Sequence, residues 1–316
     1  MIGSNLNIAK NFLLNGDLVA IPTETVYGLA GNALVAETVA KIFEAKNRPS
    51  FDPLIVHTDS IDSARKYVSE FPDWALILAE KFWPGPLTLL LPKKNIIPDI
   101  VTNGSDLVGI RVPNHPLTLA LLQSLPFPLA APSANPFGYI SPTSAQHVAD
   151  QLENKISYIL DGGNCTVGLE STIVGSKNGK ATIFRSGGIP SEKINELMGF
   201  EIEILMSSSN PQAPGMLENH YAPGKPLFVG NLADLINYYS GKKIGVISFH
   251  HNYSPQVNKC LVLSFEGDLT KAASGLFAAL REMDKSEVDI ILTEKFPETG
   301  LGRAINDRLQ KAATKR

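Results

Sequence analysis

Cysteine is scarce in this 316-residue chain, with two copies, Cys165 and Cys260. Two cysteines cannot build a disulfide framework, and these two lack metal-ligand spacing. A reducing cytoplasm is the simplest compartment to expect. No uninterrupted apolar run of about 18 residues occurs, so no membrane span is predicted. The N-terminus, MIGSNLNIAKNFLLNGD, has neither a basic leader nor a long apolar core and does not read as a signal peptide. Excess positive charge is also missing. The net charge is −3, with 15 basic against 20 acidic residues up to Met206 and 13 against 11 beyond it. That balance argues against non-specific nucleic-acid binding, although a local cationic groove is compatible with it.

The common catalytic signatures are absent too. There is no GxxxxGKS/T phosphate loop, and no GxGxxG follows a strand; GLGRAI near the C-terminus has the wrong shape. HExxH, CxxC and GxSxG do not occur, and no residue is assigned as a metal ligand. Any nucleotide must be held by something other than these motifs.

What is present is an ordinary globular composition, 44% hydrophobic and 19% charged, long enough for one large core or two domains. The stretch from Ile21 to His57 sets the organisation. A strand at 18–21 leads into a polar turn, PTETVYGLAG, then a helix at 36–46 ending near Lys46 and Arg48, then a strand at 54–57 ending on His57. Before it, residues 1–16 read as a short helix with Leu6, Ala9, Phe12 and Leu13 on one face and Gly16 as its stop. Helical pattern returns at 60–67 and 72–82. The run Leu87 to Leu91 lacks alternation and reads as a strand buried on both faces. LVGIRVP is an apolar strand carrying Arg111, and HPLTLALLQSL is a helix with proline near its start. PLAAPSAN is a short strand and loop, followed by a helix capped near Ser141 to Ser144. ISYILDGG, LESTIVG and ATIFRSGG are strands, the last two a hairpin across SKNGK. A helix near 190–198 and the strand EIEIL follow.

Residues 207–226, SSSNPQAPGMLENHYAPGKP, lose all apolar period and read as a linker, whose aromatic and histidine are either incidental or functional. From Leu227 strands alternate with helices again, which predicts a small parallel sheet. The polar groups that stand out are Thr23, Thr25, Tyr27, Lys46, Arg48, His57, Arg111, Ser133, Asn135, Ser141, Ser171 and Arg185. Ends of strands in α/β folds are where ligands sit, and four cations with few neighbouring acids suit an anionic ligand. The competing reading is a capped helix end and separate surface ion pairs.

In order, PTETVYGLAG, KNRPSFDPLIVH, WPGPLTLLL, VGIRVP, APSAN, SPTSAQHV, LDGG, GLESTIVG and RSGGI resemble the YrdC-type threonylcarbamoyl-adenylate synthases over residues 1–206. HYAPGKPL and GLGRAINDRLQKAA resemble that family's long branch. The resemblance implies a YrdC-like twisted mixed sheet with a large concave groove (1–206), an interdomain linker or lid (207–226) and a small Rossmann-like parallel α/β domain (227–316). It implies synthesis of threonylcarbamoyl-adenylate from L-threonine, bicarbonate and ATP, with Mg2+ accompanying ATP and pyrophosphate released. The product would pass to a tRNA threonylcarbamoyltransferase for modification beside the anticodon.

Carried over by motif position, Thr25, His57, Arg111, the Ala131 backbone and Ser171 would hold threonine. Lys46, Arg48, Ser133 and Asn135 match the Lys-x-Arg and Ser-x-Asn set around the phosphates, and Ser141, Arg185 and Tyr221 would complete the ATP site. Two positions depart from the family pattern. Asp52 stands where asparagine is frequent, and Leu107 where threonine is, so only the Leu107 backbone could touch a nucleotide. His57 is read as orienting threonine rather than as a general base. Alternative readings are a non-catalytic double-stranded-RNA-binding or ribosome-associated module, with at most weak RNA binding, and a carbamoyl or acyl hydrolase.

Overall fold

The computed structural model describes residues 1–205 and 221–313. Its strands, in chain order, are β1 (Ile2–Gly3), β2 (Val19–Ile21), β3 (Gly28–Asn32), β4 (Ile55–His57), β5 (Leu87–Pro92), β6 (Leu107–Arg111), β7 (Leu129–Ala130), β8 (Tyr158–Leu160), β9 (Thr172–Lys177), β10 (Lys180–Arg185) and β11 (Glu203–Ile204), then β12 (Leu227–Val229), β13 (Ile244–Ser248), β14 (Lys259–Val262) and β15 (Ile290–Thr293). The first eleven form one mixed sheet, ordered β1-β8-β2-β3-β7-β4-β6-β5-β9-β10-β11. The last four form a parallel sheet, ordered β12-β15-β13-β14. A large mixed sheet followed by a small parallel one is the α/β architecture that the sequence predicts. Of the expected linker 207–226, residues 207–220 lie outside the described residues.

Local sequence explains most elements. The helix Ala36–Lys46 buries Val39, Ile42 and Phe43 on one face. It stops at Asn47, which takes the left-handed conformation (φ 51°) and turns its backbone N–H back onto the last carbonyls. The helix Leu6–Leu14 is capped by the Asn5 side chain, which accepts from the Asn7 and Ile8 amides. β5 is buried along its apolar run, as its lack of alternation requires.

The expected turn PTETVYGLAG is in part a strand: its second half is β3, paired antiparallel to β2 and β7. Local propensity hides it, because GLAGN has no β-branched residue. Pairing on both sides overrides that, and Gly31 is needed there. A Cβ at Gly31 would come within 2.8 Å of Thr38 Cγ2, so glycine lets the helix Ala36–Lys46 lie against the strand. β12 and the helix Leu232–Tyr238 likewise lack a readable period and form through packing of Leu232, Ile236, Ile244 and Leu292.

The C-terminal part is docked on loops of the first part through a shared core. Val26, Ile140 and Leu169 from the first part pack with Leu276, Phe277, Leu280 and Ile305 from the second. The approach is close at Gly168 (φ 72°), where a Cβ would lie 2.5 Å from the Ser274 Cα. Arg281, buried in this seam, donates to the Ser141 and Ile140 carbonyls and to Gln151 Oε1.

Candidate functional site

Strand register gathers the site. β4 and β6 are parallel with His57 opposite Arg111, and β7 pairs with β4 on its other side. β5 runs antiparallel to β6 and parallel to β9, so the start of β9 lies at the same edge as the ends of β4 and β6. Ser171 immediately precedes β9, and Arg185 closes β10 opposite Ile173, beside a register shift. Ser133 bridges to Gly28, bringing the Ser-Ala-Asn loop over the start of β3. One sheet edge thus carries residues from five separate segments.

They surround a cleft enclosing about 520 Å3 of empty space, its open mouth included. Thr25, His57, Arg111, Ala131 and Ser171 lie along it, and so do Arg48, Ser133, Arg185 and Tyr221. The five other expected site residues, Lys46, Asp52, Leu107, Asn135 and Ser141, are not among those that line the wall. Lys46 is buried, and its Nζ donates to the Ser133 and Asn135 carbonyls, 2.5 Å each. The Asn135 amide in turn donates to the Pro136 and Tyr139 carbonyls. Lys46 and Asn135 therefore shape the Ser133 loop from behind, where an outward-facing Lys46 was expected. Ser141 donates to Glu170 Oε1 at 2.6 Å. Leu107 is not among the residues that line the cleft: at the start of β6 it pairs with Pro92 and packs against the cluster of Ile55, Leu90, Ile173 and Phe184, of which Ile55 does line it. It sits at the opposite end of β6 from Arg111.

Asp52 is fully buried, and its carboxylate pairs with Arg48 Nη2 at 2.8 Å. Arg48 also donates from Nε to the Asp52 carbonyl and from Nη2 to the Pro53 carbonyl. Three contacts within one short loop fix the guanidinium plane. Burial pushes the Asp52 carboxyl up, against the pull of Arg48 and Lys46. Arg185 is clamped on Ser171 through Nε and Nη2 to its carbonyl and Nη2 to its hydroxyl, and that hydroxyl is also hydrogen-bonded to the Thr88 hydroxyl at 2.7 Å. Thr25 meets the Thr23 hydroxyl at 2.8 Å.

The cations are not poor in acidic neighbours, contrary to the sequence reading. Arg111 Nη2 lies 2.7 Å from Glu24 Oε1, and Arg48 has Asp52. Glu170 lines the cleft near Arg185 and accepts from Arg308 Nε at 2.9 Å. Both glutamates adjoin residues that were singled out, Thr25 in PTET and Ser171 in LEST. The missed signal was physical: three arginines, Arg111 and Arg185 at strand ends and Arg48 just past a helix end, are largely out of water and need counter-charges. Glu24 and Glu170 were the acids at hand. Arg308, from the distant C-terminal helix Gly302–Ala313, had no local signal at all.

Electrostatics assign further roles. Burial, then the neighbouring Arg111, pushes His57 down to about 3, so it is a neutral imidazole across the physiological range. Its Nδ1 is buried and lacks a hydrogen-bond partner among the described residues. A neutral imidazole can orient a polar ligand but is a poor proton acceptor at neutral pH. Burial, then Arg48, pushes the Lys46 amine well below the usual lysine range. Tyr221 is fully buried with φ 65°, stacks on Phe277 at 5.4 Å and lies under the Arg308 guanidinium at 5.3 Å. Its ring thus ties the cleft wall to the C-terminal part. No group of three or more histidine, cysteine or acidic side chains able to hold a metal occurs among the described residues. No helix among them is long and apolar enough to cross a membrane.

Comparison with known proteins bears on both parts. A family model described as telomere recombination matches residues 11–187, and one described as the threonylcarbamoyl-AMP synthase C-terminal domain matches residues 189–314. A threonylcarbamoyl-AMP synthase of Pyrococcus abyssi is 42% identical, covering 98% of this chain and 94% of its own. One of Bacillus subtilis is also 42% identical, covering 96% and 92%. The crystal structure of P. abyssi Sua5 complexed with L-threonine superposes with a TM-score of 0.92 at 41% identity, covering 98% of this chain and 94% of that one.

Proposed function

The chain belongs to the threonylcarbamoyl-AMP synthase family, and on that premise we propose that it condenses L-threonine, bicarbonate and ATP into L-threonylcarbamoyladenylate, releasing pyrophosphate and water. The observation that carries this reading is the convergence of Arg48, Arg111 and Arg185 with Thr25, His57, Ser133 and Ser171 on one cleft. Few ligands need three guanidinium groups together with hydroxyls and an imidazole; an amino-acid carboxylate beside a triphosphate is one that does.

Arg111 takes the threonine carboxylate, with Glu24 holding one edge of its guanidinium in place. Thr25, Ser171 and the Ala131 backbone surround the rest of the amino acid, and neutral His57 orients it. Arg48, Ser133 and Arg185 take the phosphates, while Tyr221 walls the nucleotide side. Lys46 and Asn135 hold the Ser133 loop, Asp52 holds Arg48, and Ser141 acts through Glu170. The threonine amine adds to the bicarbonate carbon with loss of water, and the carbamate oxygen attacks the α-phosphorus as pyrophosphate leaves. This makes the chain a nucleotidyltransferase. Charge grows on phosphoryl oxygens, so fixed cations act by position and field. Mg2+ would come with ATP and be held mainly by its phosphates: among the described residues, the acids in and behind the cleft wall, Glu24, Asp52 and Glu170, are each committed to an arginine. The product goes to a tRNA threonylcarbamoyltransferase in the cytoplasm. An RNA-binding module is disfavoured, because arginines matched by acids leave little net charge for a phosphate backbone.

The test is pyrophosphate release measured with threonine, bicarbonate and ATP each omitted in turn, with Lys46→Ala, Arg48→Ala and Arg111→Ala alongside. Release that needs all three substrates, and falls at least about tenfold in each variant, supports the reading. Release independent of threonine, or undiminished in all three variants, sinks it.

A further inference from the structure

Glu170 poses a problem for a cleft meant for phosphates. It lines the wall near Arg185, and an uncompensated carboxylate there would repel a triphosphate. Each of its two oxygens has its own donor. Ser141 donates to Oε1 at 2.6 Å, and Arg308 donates from Nε to Oε2 at 2.9 Å. Arg308 belongs to the C-terminal helix, is fully buried, and lies 138 positions away in the chain. It also reaches Asp307 through Nη1 and lies over the ring of Tyr221, while its Nη2 has no partner among the described residues.

From this geometry we infer that Arg308 is a positioning residue of the nucleotide subsite, supplied by the C-terminal part, which cancels the charge of Glu170 and locks its carboxylate against Ser141. The inference rests on the nucleotide reading of the cleft given above. It assigns the C-terminal part a place in the site's charge balance in addition to its packing. Other features of the seam agree. Burial alone would raise the Glu170 carboxyl, yet Arg308 and Arg185, with Ser141, hold it below the ordinary carboxylate range. Glu170 is therefore charged at working pH, and its neutralisation must come from a fixed partner. Arg281 fastens the same region by holding the Ser141 and Ile140 carbonyls, so the Ser141 hydroxyl and Arg308 approach Glu170 from one framework.

Two roles for Arg308 must be told apart, charge cancellation and mere seam packing. Three full-length variants do so: Arg308→Met, Glu170→Gln and the double variant. Equilibrium binding of ATP and of threonine is read by calorimetry, and pyrophosphate release is read separately. Charge cancellation predicts that R308M weakens ATP binding about tenfold, with threonine binding moved by less than about threefold, and that the ATP loss shrinks as salt rises. Adding E170Q to R308M should then restore ATP affinity to within about threefold of the native chain, because a neutral pair leaves no stranded charge. Seam packing predicts equal losses for both ligands and no rescue, and that result overturns the inference. If R308M does not fold, the double variant decides alone: a folded double variant with near-native ATP affinity supports the inference, and one that has lost about tenfold or more overturns it. If the native chain binds ATP but releases no threonine-dependent pyrophosphate, the proposed reaction fails while the role of Arg308 in nucleotide binding still stands or falls on its own result.

Discussion

Replacing Asp52 by asparagine isolates what the buried acid beside Arg48 does. The carboxylate lies 2.8 Å from Arg48 Nη2, and both side chains are almost wholly removed from water. Removing one partner of a buried ion pair destabilises by about 3–5 kcal/mol when nothing replaces it. Asparagine keeps an acceptor at that spot, and Arg48 keeps the Asp52 and Pro53 carbonyls. D52N should therefore lose roughly 1–3 kcal/mol and D52A the full amount, as read by urea unfolding. Affinity should move the other way. A negative charge one guanidinium beyond the phosphates opposes their binding by roughly 1 kcal/mol in a cleft of intermediate dielectric, so D52N should bind ATP about fivefold more tightly.

The assay is calorimetric ATP titration at low and high salt, with the advantage of D52N shrinking as ions screen it. A folded D52N that binds ATP more weakly than the native chain by more than about threefold would rule out a purely repulsive Asp52. Asp52 would then be contacting the nucleotide or its metal, and its pairing with Arg48 would be secondary.

Three further outcomes follow from the same structure. His57 is held at about 3 in the fold against an ordinary 6.5, so below pH 6.5 the unfolded chain binds a proton that the folded chain refuses. Its contribution is complete above pH 6.5 and drains as pH falls toward 3, amounting to at most about 5 kcal/mol, and His57→Asn should flatten that part of the stability–pH profile; an unchanged slope would contradict the burial argument. Gly168→Ala forces a Cβ to 2.5 Å from Ser274 Cα at a left-handed φ, so it should loosen the seam and lower the melting temperature, with a loss of about 2 kcal/mol or more; an unchanged melting temperature would show the two parts docked more softly than described. Arg48→Lys keeps the charge but loses the fork that meets two carbonyls and Asp52, so pyrophosphate release should fall about 100-fold with little change in threonine KM; near-native turnover would remove Arg48 from the phosphate subsite.

The strands and helices that strong local pattern specifies were legible: the helix Ala36–Lys46 by its apolar face and β5 by its leucine-rich run without alternation. β3 was not, because GLAGN forms only through neighbours on both sides, and single-sequence pattern does not see pairing. The candidate residues were legible as types at strand ends, since Arg111 and Arg185 stand out in apolar surroundings. Their partners were not. Glu24 and Glu170 look like ordinary acids until the register sets them against arginines, and Arg308 becomes relevant only when the C-terminal helix docks. Lys46 shows the converse limit. Its place in a motif suggested an outward cation, whereas two carbonyls of the Ser133 loop claim its amine. Which way a long side chain turns is decided by acceptors far away in sequence.

The proposed reaction joins an amino acid, bicarbonate and the AMP part of ATP in this cleft. The most direct measurement incubates the full chain with ATP, L-threonine and carbon-13 bicarbonate and identifies the adenylate by mass spectrometry. The expected product is a threonylcarbamoyl-adenylate one mass unit heavier than with ordinary bicarbonate, formed in step with pyrophosphate and absent without threonine. An adenylate that carries no bicarbonate carbon, or ATP consumption with no adenylate at any early time, would contradict it.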